Sequence, residues 1–480
     1  MSPVSLSDVW AISPAIVVTL GAFLILLVGL FARSWPRWIA RGLAMLALLG
    51  AGTLTVHLHG QGLVAFSGLF LADDFALVFN LIFLLAATLC VLLADNLHER
   101  SYLLYTEFVA LVLFAVVGMM LMAGSNHLLT IFLGVETLSI SLYILAGFKR
   151  SEARSLESAF KYFLLGAFAS GFLLYGIAFI FGATGSFDLA QVAHGLAAGS
   201  PAFLVLGGIL VIVGLGFKVA MVPFHMWTPD VYEGAPTPVT AFMATGSKAA
   251  GFAALLRVLF AATDGVAADW TLLLAIVSAL TMTIGNVAAL VQTQIKRMLA
   301  YSSIAHAGYL LVGVVAWNET GVASVMFYLL AYTFMNVGAF AVVAYSSAEK
   351  KEALTLDDYR GLAFQKPGLA LVMAIFMFAL AGLPPTVGFV GKFYLFSAAV
   401  KAGQIPLVII GVVNSMISLY YYLGVVVVMF MKEAPQAWDK QKPVRLVSWT
   451  LAATALGTVA LGVFPSDLMA YLQTVVAHIL

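Results

Sequence analysis

Apolar runs of about twenty residues, the length that crosses a bilayer as a helix, follow one another from end to end of this chain with short loops between them. In lipid there is no water to meet a free N–H or C=O, so each run has to satisfy its backbone internally. About fourteen spans can be placed, at 12–31, 39–57, 75–94, 105–123, 127–147, 158–181, 202–223, 237–262, 270–291, 298–315, 321–345, 368–400, 405–431 and 446–464. The composition agrees: 63% of residues are hydrophobic and 9% charged, against about 25% charged in a soluble domain. The fold class is therefore an all-α polytopic membrane protein. A formal charge of +1 offers nothing to nucleic acid or to an acidic partner. The single cysteine, Cys90, lies inside an apolar run, which excludes disulfides, CxxC redox motifs and thiolate metal sites. The first run has Asp8 before it and Arg33 after it, the reverse of a cleavable signal peptide, so it reads as a retained helix.

Basic residues sort by loop parity. Arg33, Arg37, Arg41, Arg100, Lys149, Arg150, Arg154, Lys296, Arg297, Lys350, Lys351, Arg360, Lys366, Lys432, Lys440, Lys442 and Arg445 fall in or beside alternate loops. Outside that set lie Lys161, Lys218, Lys248, Arg257, Lys392 and Lys401. The positive-inside rule then puts both termini on the outer face. Three spans carry prolines, at Pro223, at Pro236 with Pro238, and at Pro384 with Pro385. Proline removes a helix hydrogen bond, and broken helices near mid-membrane are how transporters build ion sites. Two stretches share a layout: a span with Glu136 is followed two spans later by a broken span with Lys218, and a span with His306 likewise by one with Lys392. Units of five spans must point in opposite directions, so two inverted five-helix repeats with proline-broken helices are expected. The chain then divides into 1–104 (helices 1–3), 105–262 (first repeat, helices 4–8), 263–432 (second repeat, helices 9–13) and 433–480 (helix 14 and a tail). The tail, Asp467–Leu480, reads as a short amphipathic segment at the outer interface.

Four charges deep in apolar sequence demand a reason, because each costs roughly 2.5–3.5 kcal/mol at a membrane helix centre. They are Glu136, Lys218, Lys248 and Lys392. Lys218 is the natural partner of Glu136, since a nearby carboxylate favours the ammonium form and its loss disfavours it. Buried lysine gives up its proton readily, whereas arginine stays charged. That suits the three lysines to holding and releasing protons. The bland readings are a Glu136 satisfied by Thr137 or Ser139, and a Lys248 that snorkels to the surface. Lys248 stands about ten residues past Pro238, near the middle of its span, where snorkelling is awkward. Lys392 lies two turns beyond Pro385, and Lys401 is the better snorkelling residue there.

His225 and His306 are candidate relay groups, because imidazole titrates near neutrality. His225 follows Pro223 and could equally anchor the interface with Trp227; His306 is flanked by Ser302, Ser303 and Tyr309 and could equally be a polar helix contact. Lys161, four residues after Glu157, is either a further relay group or a boundary ion pair. No GxGxxG follows a strand, and there is no GxxxxGK[ST], HExxH or cysteine cluster. No cofactor or metal site is expected in this chain.

The string KVAMVPFHMWTPDVYEGAPTPVTAFMATGSKAAGFAALLR, Lys218–Arg257, closely resembles the subunit N family of the membrane arm of bacterial respiratory complex I, the NADH-quinone oxidoreductase. So do LGVETLSISLYILAGF, QTQIKRMLAYSSIAHAGY and LAGLPPTVGFVGKFYLF, and the resemblance runs over the whole chain. It implies fourteen helices with two inverted five-helix units, Glu136 and Lys218 as the family's ion pair, Lys248 as its central relay and Lys392 as the terminal lysine near the outer exit. The antiporter-like relatives, subunits L and M, differ around the eighth helix; subunit L adds a lateral helix that this chain lacks. The resemblance implies a bacterial inner-membrane location, partners of the K, M and J types and the lateral helix of L, and contact with phospholipids. FMN, iron–sulfur clusters and quinone then belong to partner subunits. The mechanism it implies is redox-driven proton pumping through water wires between the lysines. Moving one charge against 100 mV costs about 2.3 kcal/mol, which a swing of about two pKa units supplies at 1.36 kcal/mol each. A cation/proton antiporter subunit and a ferredoxin-dependent photosynthetic quinone reductase would use the same residues, and a purely structural subunit would use none of them.

Overall fold

A computed structural model describes residues 4–31, 36–94, 102–195, 201–261, 267–346, 355–433 and 445–477. Arg33, Arg100, Lys350, Lys351, Lys440 and Lys442, and the last three residues of the tail, lie outside the described residues. The helices are α1 (Leu6–Ala11), α2 (Ser13–Phe31), α3 (Arg37–Leu58), α4 (Asp74–Leu93), α5 (Tyr102–Gly124), α6 (Leu128–Ala146), α7 (Ala153–Thr184), α8 (Leu189–Gly195) and α9 (Pro201–Val219). They continue with α10 (Trp227–Gly234), α11 (Thr237–Phe242), α12 (Lys248–Ala261), α13 (Ala267–Leu290), α14 (Ile295–Ala316), α15 (Glu319–Ser346) and α16 (Leu362–Gln365). The last five are α17 (Pro367–Ala381), α18 (Val387–Lys401), α19 (Ile405–Met431), α20 (Arg445–Val463) and α21 (Ser466–Ala477). One hairpin, β1 (Leu63–Ala65) with β2 (Phe70–Ala72), interrupts them. Among the described residues, thirteen helical stretches are long and apolar enough to cross a membrane. The expected span at 368–400 is present as two half-length helices, α17 and α18.

By contacts the chain forms two units. The first comprises Met1–Val91, Glu99–Val219 and Gly246–Trp270. Its N-terminus is held by a capping box: Ser5 Oγ accepts from Asp8 N–H at 3.1 Å, and Asp8 accepts from Ser5 N–H at 2.8 Å. The other oxygen of Asp8 accepts from Phe66 N–H at 2.7 Å, which ties α1 to the hairpin over a small core of Ala11, Ala65, Phe70 and Ala72. The Ser5 hydroxyl also donates to Asp8 at 2.7 Å, and this bond first, then those from Phe66 N–H and Ser5 N–H, holds the Asp8 carboxyl below the usual carboxylate range. Helix packing here relies on small residues, since lipid offers no hydrophobic drive for association. Gly176 of α7 and Gly207 of α9 each face the other's carbonyl oxygen, so that a methyl group on either would meet backbone at 2.7–2.9 Å. A buried arginine closes the unit: Arg257 of α12 bonds the Ala123 carbonyl at 2.9 Å, pairs with Asp73, and lies 4.6 Å from the Phe75 ring centroid. Nothing in the sequence alone pairs Arg257 with Asp73, 184 positions away.

The second unit comprises Leu92–His98, Ala220–Thr245 and Thr271–Leu480. Its centre is α15, apolar all round and buried along almost its whole length, as such a helix must be. Around it pack α11, α14, α17, α18, α20 and α21. The tail helix α21 buries Met469, Leu472, Val475 and Val476, and it packs on α15. Lys296 and Arg297, which the sequence showed only as loop charges, join α14 to α10. Lys296 Nζ donates to the Ala235 carbonyl at 2.7 Å, and Arg297 donates to Asp230 at 2.6 Å and Glu233 at 3.0 Å.

The prolines act in three different ways. Pro223 has no N–H for the Val219 carbonyl, and α9 stops at Val219, four residues short of the expected span; Ala220 then takes a left-handed φ of 62°. Pro236 and Pro238 open α11 instead of breaking it, as fits a first turn whose N–H groups are unpaired anyway. The interruption in that span is a π-helical turn, Met243–Ser247, immediately before Lys248. Pro384 and Pro385 do divide their span. There α17 ends on Gly382 at φ 86°, whose N–H and that of Leu383 cap the last carbonyls, and Thr386 starts α18.

Candidate functional site

In the first unit, α6, α7, α9 and α12 bring Glu136, Lys218 and Lys248 into one region. Glu136 is half-buried on α6 and accepts a hydrogen bond from Ser170 of α7. Lys218 is buried in the last turn of α9, where the carbonyl end of the helix favours a cation. Its ammonium lies 5.6 Å from the Tyr143 ring centroid and 5.4 Å from that of Tyr162, two rings that themselves meet edge to face at 4.8 Å. Among the described residues, Nζ has no hydrogen-bond partner, and no carboxylate approaches within 4.0 Å; Glu136 acts on it across space. The ion pair expected between the two is thus open here, with serine holding the acid and aromatic faces holding the base. A desolvated cation–π contact is worth about 2 kcal/mol and the helix end up to about 2 kcal/mol. Together these offset part of the cost of taking the ammonium out of water.

Lys248 is the first residue of α12 after the π turn and is fully buried. One turn on, Gly251 faces Val219 and the Lys218 Cβ, where an added methyl would lie at 2.6 and 3.3 Å. Glycine lets the end of α9 come this close to the turn that follows Lys248.

In the second unit, His306 and Lys392 are joined by side chains that the sequence reading largely passed over. His306 is buried on α14; Nδ1 meets the Tyr328 hydroxyl at 2.7 Å and Nε2 the Tyr422 hydroxyl at 3.0 Å. Tyr422 also bonds Ser302 and Tyr421. Tyr421 donates to Asn286 Oδ1 at 2.9 Å, and Asn286 Nδ2 donates to the Tyr309 hydroxyl at 3.1 Å and to Asn414 Oδ1 at 3.3 Å. The Tyr309 ring lies 4.7 Å from Lys392 Nζ. Imidazole and phenol groups both give and take protons, whereas the Asn286 amide orients its neighbours. Lys392 Nζ donates to Ser415 Oγ at 2.9 Å, the Ala381 carbonyl at 3.0 Å and the Leu380 carbonyl at 3.3 Å. It therefore caps the carbonyl end of α17, at the break its own span contains.

Two candidates stand apart. Lys161 is 40% exposed on α7 and paired with Glu157 at 2.7 Å. His225 is half-buried in the turn after α9. Burial pulls its imidazole below the ordinary value, and a hydrogen bond to the Pro223 backbone pulls the other way. Among the described residues, no three His, Cys, Asp or Glu side chains gather as a metal site would require. Nothing in the sequence alone singles out Tyr143, Tyr162, Ser170, Asn286, Tyr328, Tyr421, Tyr422 and Ser415 as site residues. Asn286, Asn414 and the adjacent Tyr420–Tyr422 were visible as polar groups inside apolar runs, but nothing in spacing pairs them across helices.

Residues 125–418 match a family described as NADH:quinone oxidoreductase/Mrp antiporter, TM. The chain is 48% identical to NADH-quinone oxidoreductase subunit N of Trichlorobacter lovleyi over 97% of this chain and 96% of that one. It is 43% identical to subunit N 2 of Rhizobium meliloti over 95% and 96%. Among solved structures it superposes on a chain of respiratory complex I from Thermus thermophilus with a TM-score of 0.83 at 37% identity, covering 96% of this chain and 99% of that one. A chain of the Mrp complex from Dietzia shares the fold alone, with a TM-score of 0.84 at 22% identity over 99% and 98%.

Proposed function

Because this chain belongs to the subunit N family of NADH-quinone oxidoreductase, we propose that it translocates protons in the membrane arm through a buried relay, driven by quinone reduction elsewhere in the complex. The observation that carries this reading is the setting of the three deep lysines. Each stands at a helix interruption: Lys218 in the last turn of α9, Lys248 directly after a π turn, and Lys392 on the carbonyl end of α17. Carbonyl ends of helices supply partial negative charge inside lipid to Lys218 and Lys392, where a cation otherwise has none. Lys218 and Lys392, held by helix dipoles and ring faces with no carboxylate within 4.0 Å among the described residues, can lose and regain a proton without leaving an opposite charge stranded.

Glu136 and Lys218 form the switch in this reading. When Glu136 moves toward Lys218, the ammonium is held; when it turns to Ser170, as here, the hold weakens and the proton passes toward Lys248. Water molecules supply the acceptors that Lys218 lacks. In the second unit, His306 and the tyrosines pass protons toward Lys392, the last group before the outer face, with Asn286 orienting the hydroxyls and water completing the steps between them. Electron transfer and its FMN, iron–sulfur clusters and quinone reside in other subunits, and power arrives here through conformation or electrostatics. The subunit sits in the bacterial inner membrane with both termini outside, beside subunits of the K, M and J types and the lateral helix of L. His225 and Lys161 are secondary candidates at the ends of the path.

The test substitutes Lys218→Ala and Glu136→Ala and measures quinone reduction together with proton uptake in sealed vesicles. The relay predicts a lower proton-to-quinone ratio in both variants. Full pumping stoichiometry in both, with normal assembly, would leave the subunit a structural role only.

A further inference from the structure

We infer that the second unit carries a binding site for a single-chain amphiphile with an anionic head, a fatty acid in chemical class, with Lys392 and Ser415 at its polar end. A cavity of about 540 Å³ opens between α18 and α19, within the range of about 300–1,000 Å³ typical of small-molecule sites. Its walls are apolar, formed chiefly by Phe389, Phe393, Val408, Val412 and Met416. Phe393 and Met416 of this lining are 57% and 65% exposed on the chain taken alone. Lys392 is the single charged residue of the lining, and its ammonium is buried at the inner end beside Ser415.

That division of chemistry selects the occupant. A neutral hydrocarbon would bring no opposite charge to the ammonium, whose hydrogens go to neutral oxygens, and water alone would be a poor filling for apolar walls. A chain ending in one carboxylate matches both. Two hydrogens of Nζ go to the Ala381 and Leu380 carbonyls and the third to Ser415 Oγ, at 2.9 Å. The serine hydroxyl donates to the Ala381 carbonyl in a long bond of 3.4 Å and can turn that hydrogen to an incoming carboxylate, which also receives the field of the ammonium behind it. Such a ligand would hold the proton on Lys392. That consequence rests on the relay reading above; the binding itself does not.

The experiment uses native membranes containing the whole complex and a photoreactive palmitic acid, with the matching long-chain alcohol as the neutral probe. Labelled peptides are mapped by mass spectrometry. The acid is expected to label residues 389–419, about tenfold more than the alcohol, the factor of one charge-assisted hydrogen bond. Val412→Trp and, separately, Val408→Phe fill the cavity from its lipid side and should abolish that labelling while leaving quinone reduction at the wild-type rate. Equal labelling by the alcohol, unchanged labelling in both filled variants, or no labelling of this segment in the intact complex overturns the site. Palmitate should also lower proton uptake per quinone in the wild type and not in Val412→Trp; general uncoupling would affect both alike. Specific labelling with no such difference leaves the binding site standing and refutes the part given to Lys392 in the relay.

Discussion

Gly388→Ala tests whether the placement of Lys392 on the end of α17 matters, because it disturbs that geometry without touching any ionisable group. Gly388 sits in the first turn of α18 against the Ala379 carbonyl of α17, and a methyl group there would lie far inside contact distance of that oxygen. The obstruction is backbone, so no side chain can swing aside and α18 has to withdraw. Overpacking of this kind costs about 1–3 kcal/mol. Lys392 follows one turn later, bonded to the Ala381 carbonyl at 3.0 Å and the Leu380 carbonyl at 3.3 Å. The longer bond is already near its limit, and a withdrawal of about half an ångström ends both. Misplacement by about 1 Å can cost a reacting group a hundredfold in rate, so proton uptake should fall about tenfold or more in sealed vesicles. Gly368→Ala is the control, since a methyl group there meets nothing within 4 Å, and it should pump as the wild type does. If Gly388→Ala assembles and pumps at the full rate, Lys392 does not depend on the carbonyl end of α17, and the argument from helix ends fails.

Three more perturbations probe other parts of the structure. Arg257→Ala strands Asp73, and because Asp73 is 24% exposed the loss should fall near the lower end of the range for buried pairs, about 3 kcal/mol; thermal unfolding of the purified complex reads it, and Arg257→Met with Asp73→Leu should recover most of it. Tyr422→Phe removes the hydroxyl between His306 and Tyr421, which should cost about 1–3 kcal/mol and slow proton uptake, whereas Tyr420→Phe, at a side chain 75% exposed, should do neither. His127 precedes α6, and burial holds its imidazole below the ordinary value while the Asp188 charge works the other way. The unfolded chain then binds more protons between that lowered value and about pH 6.5, so stability rises with pH in this window. Melting measured from pH 5.5 to 7.5 should show the wild type losing stability on acidification and His127→Gln losing less.

The helical class, the position of nearly every span and the four deep charges could be read directly, because a bilayer allows few ways to satisfy a backbone and penalises every charge left in its interior. Proline positions marked where helices are interrupted but not how. Pro223 ends a helix, Pro236 and Pro238 begin one, and the break before Lys248 is a π turn that no residue type announces. The expected pairing of Glu136 with Lys218 illustrates the limit. Both residues were identified, yet Ser170 takes the acid and Tyr143 with Tyr162 surround the base.

What the amino-acid order determined by itself, then, was which groups would be costly in lipid, since that cost depends only on residue type and depth. Which neighbours offset the cost was decided by tertiary structure. The Lys392 bond to Ser415 crosses 23 positions, and the Tyr421 bond to Asn286 crosses 135. Such partners are chosen by the way helices lie against one another, through close approaches like that of Gly251 to Lys218, and periodicity within a single helix carries no record of them.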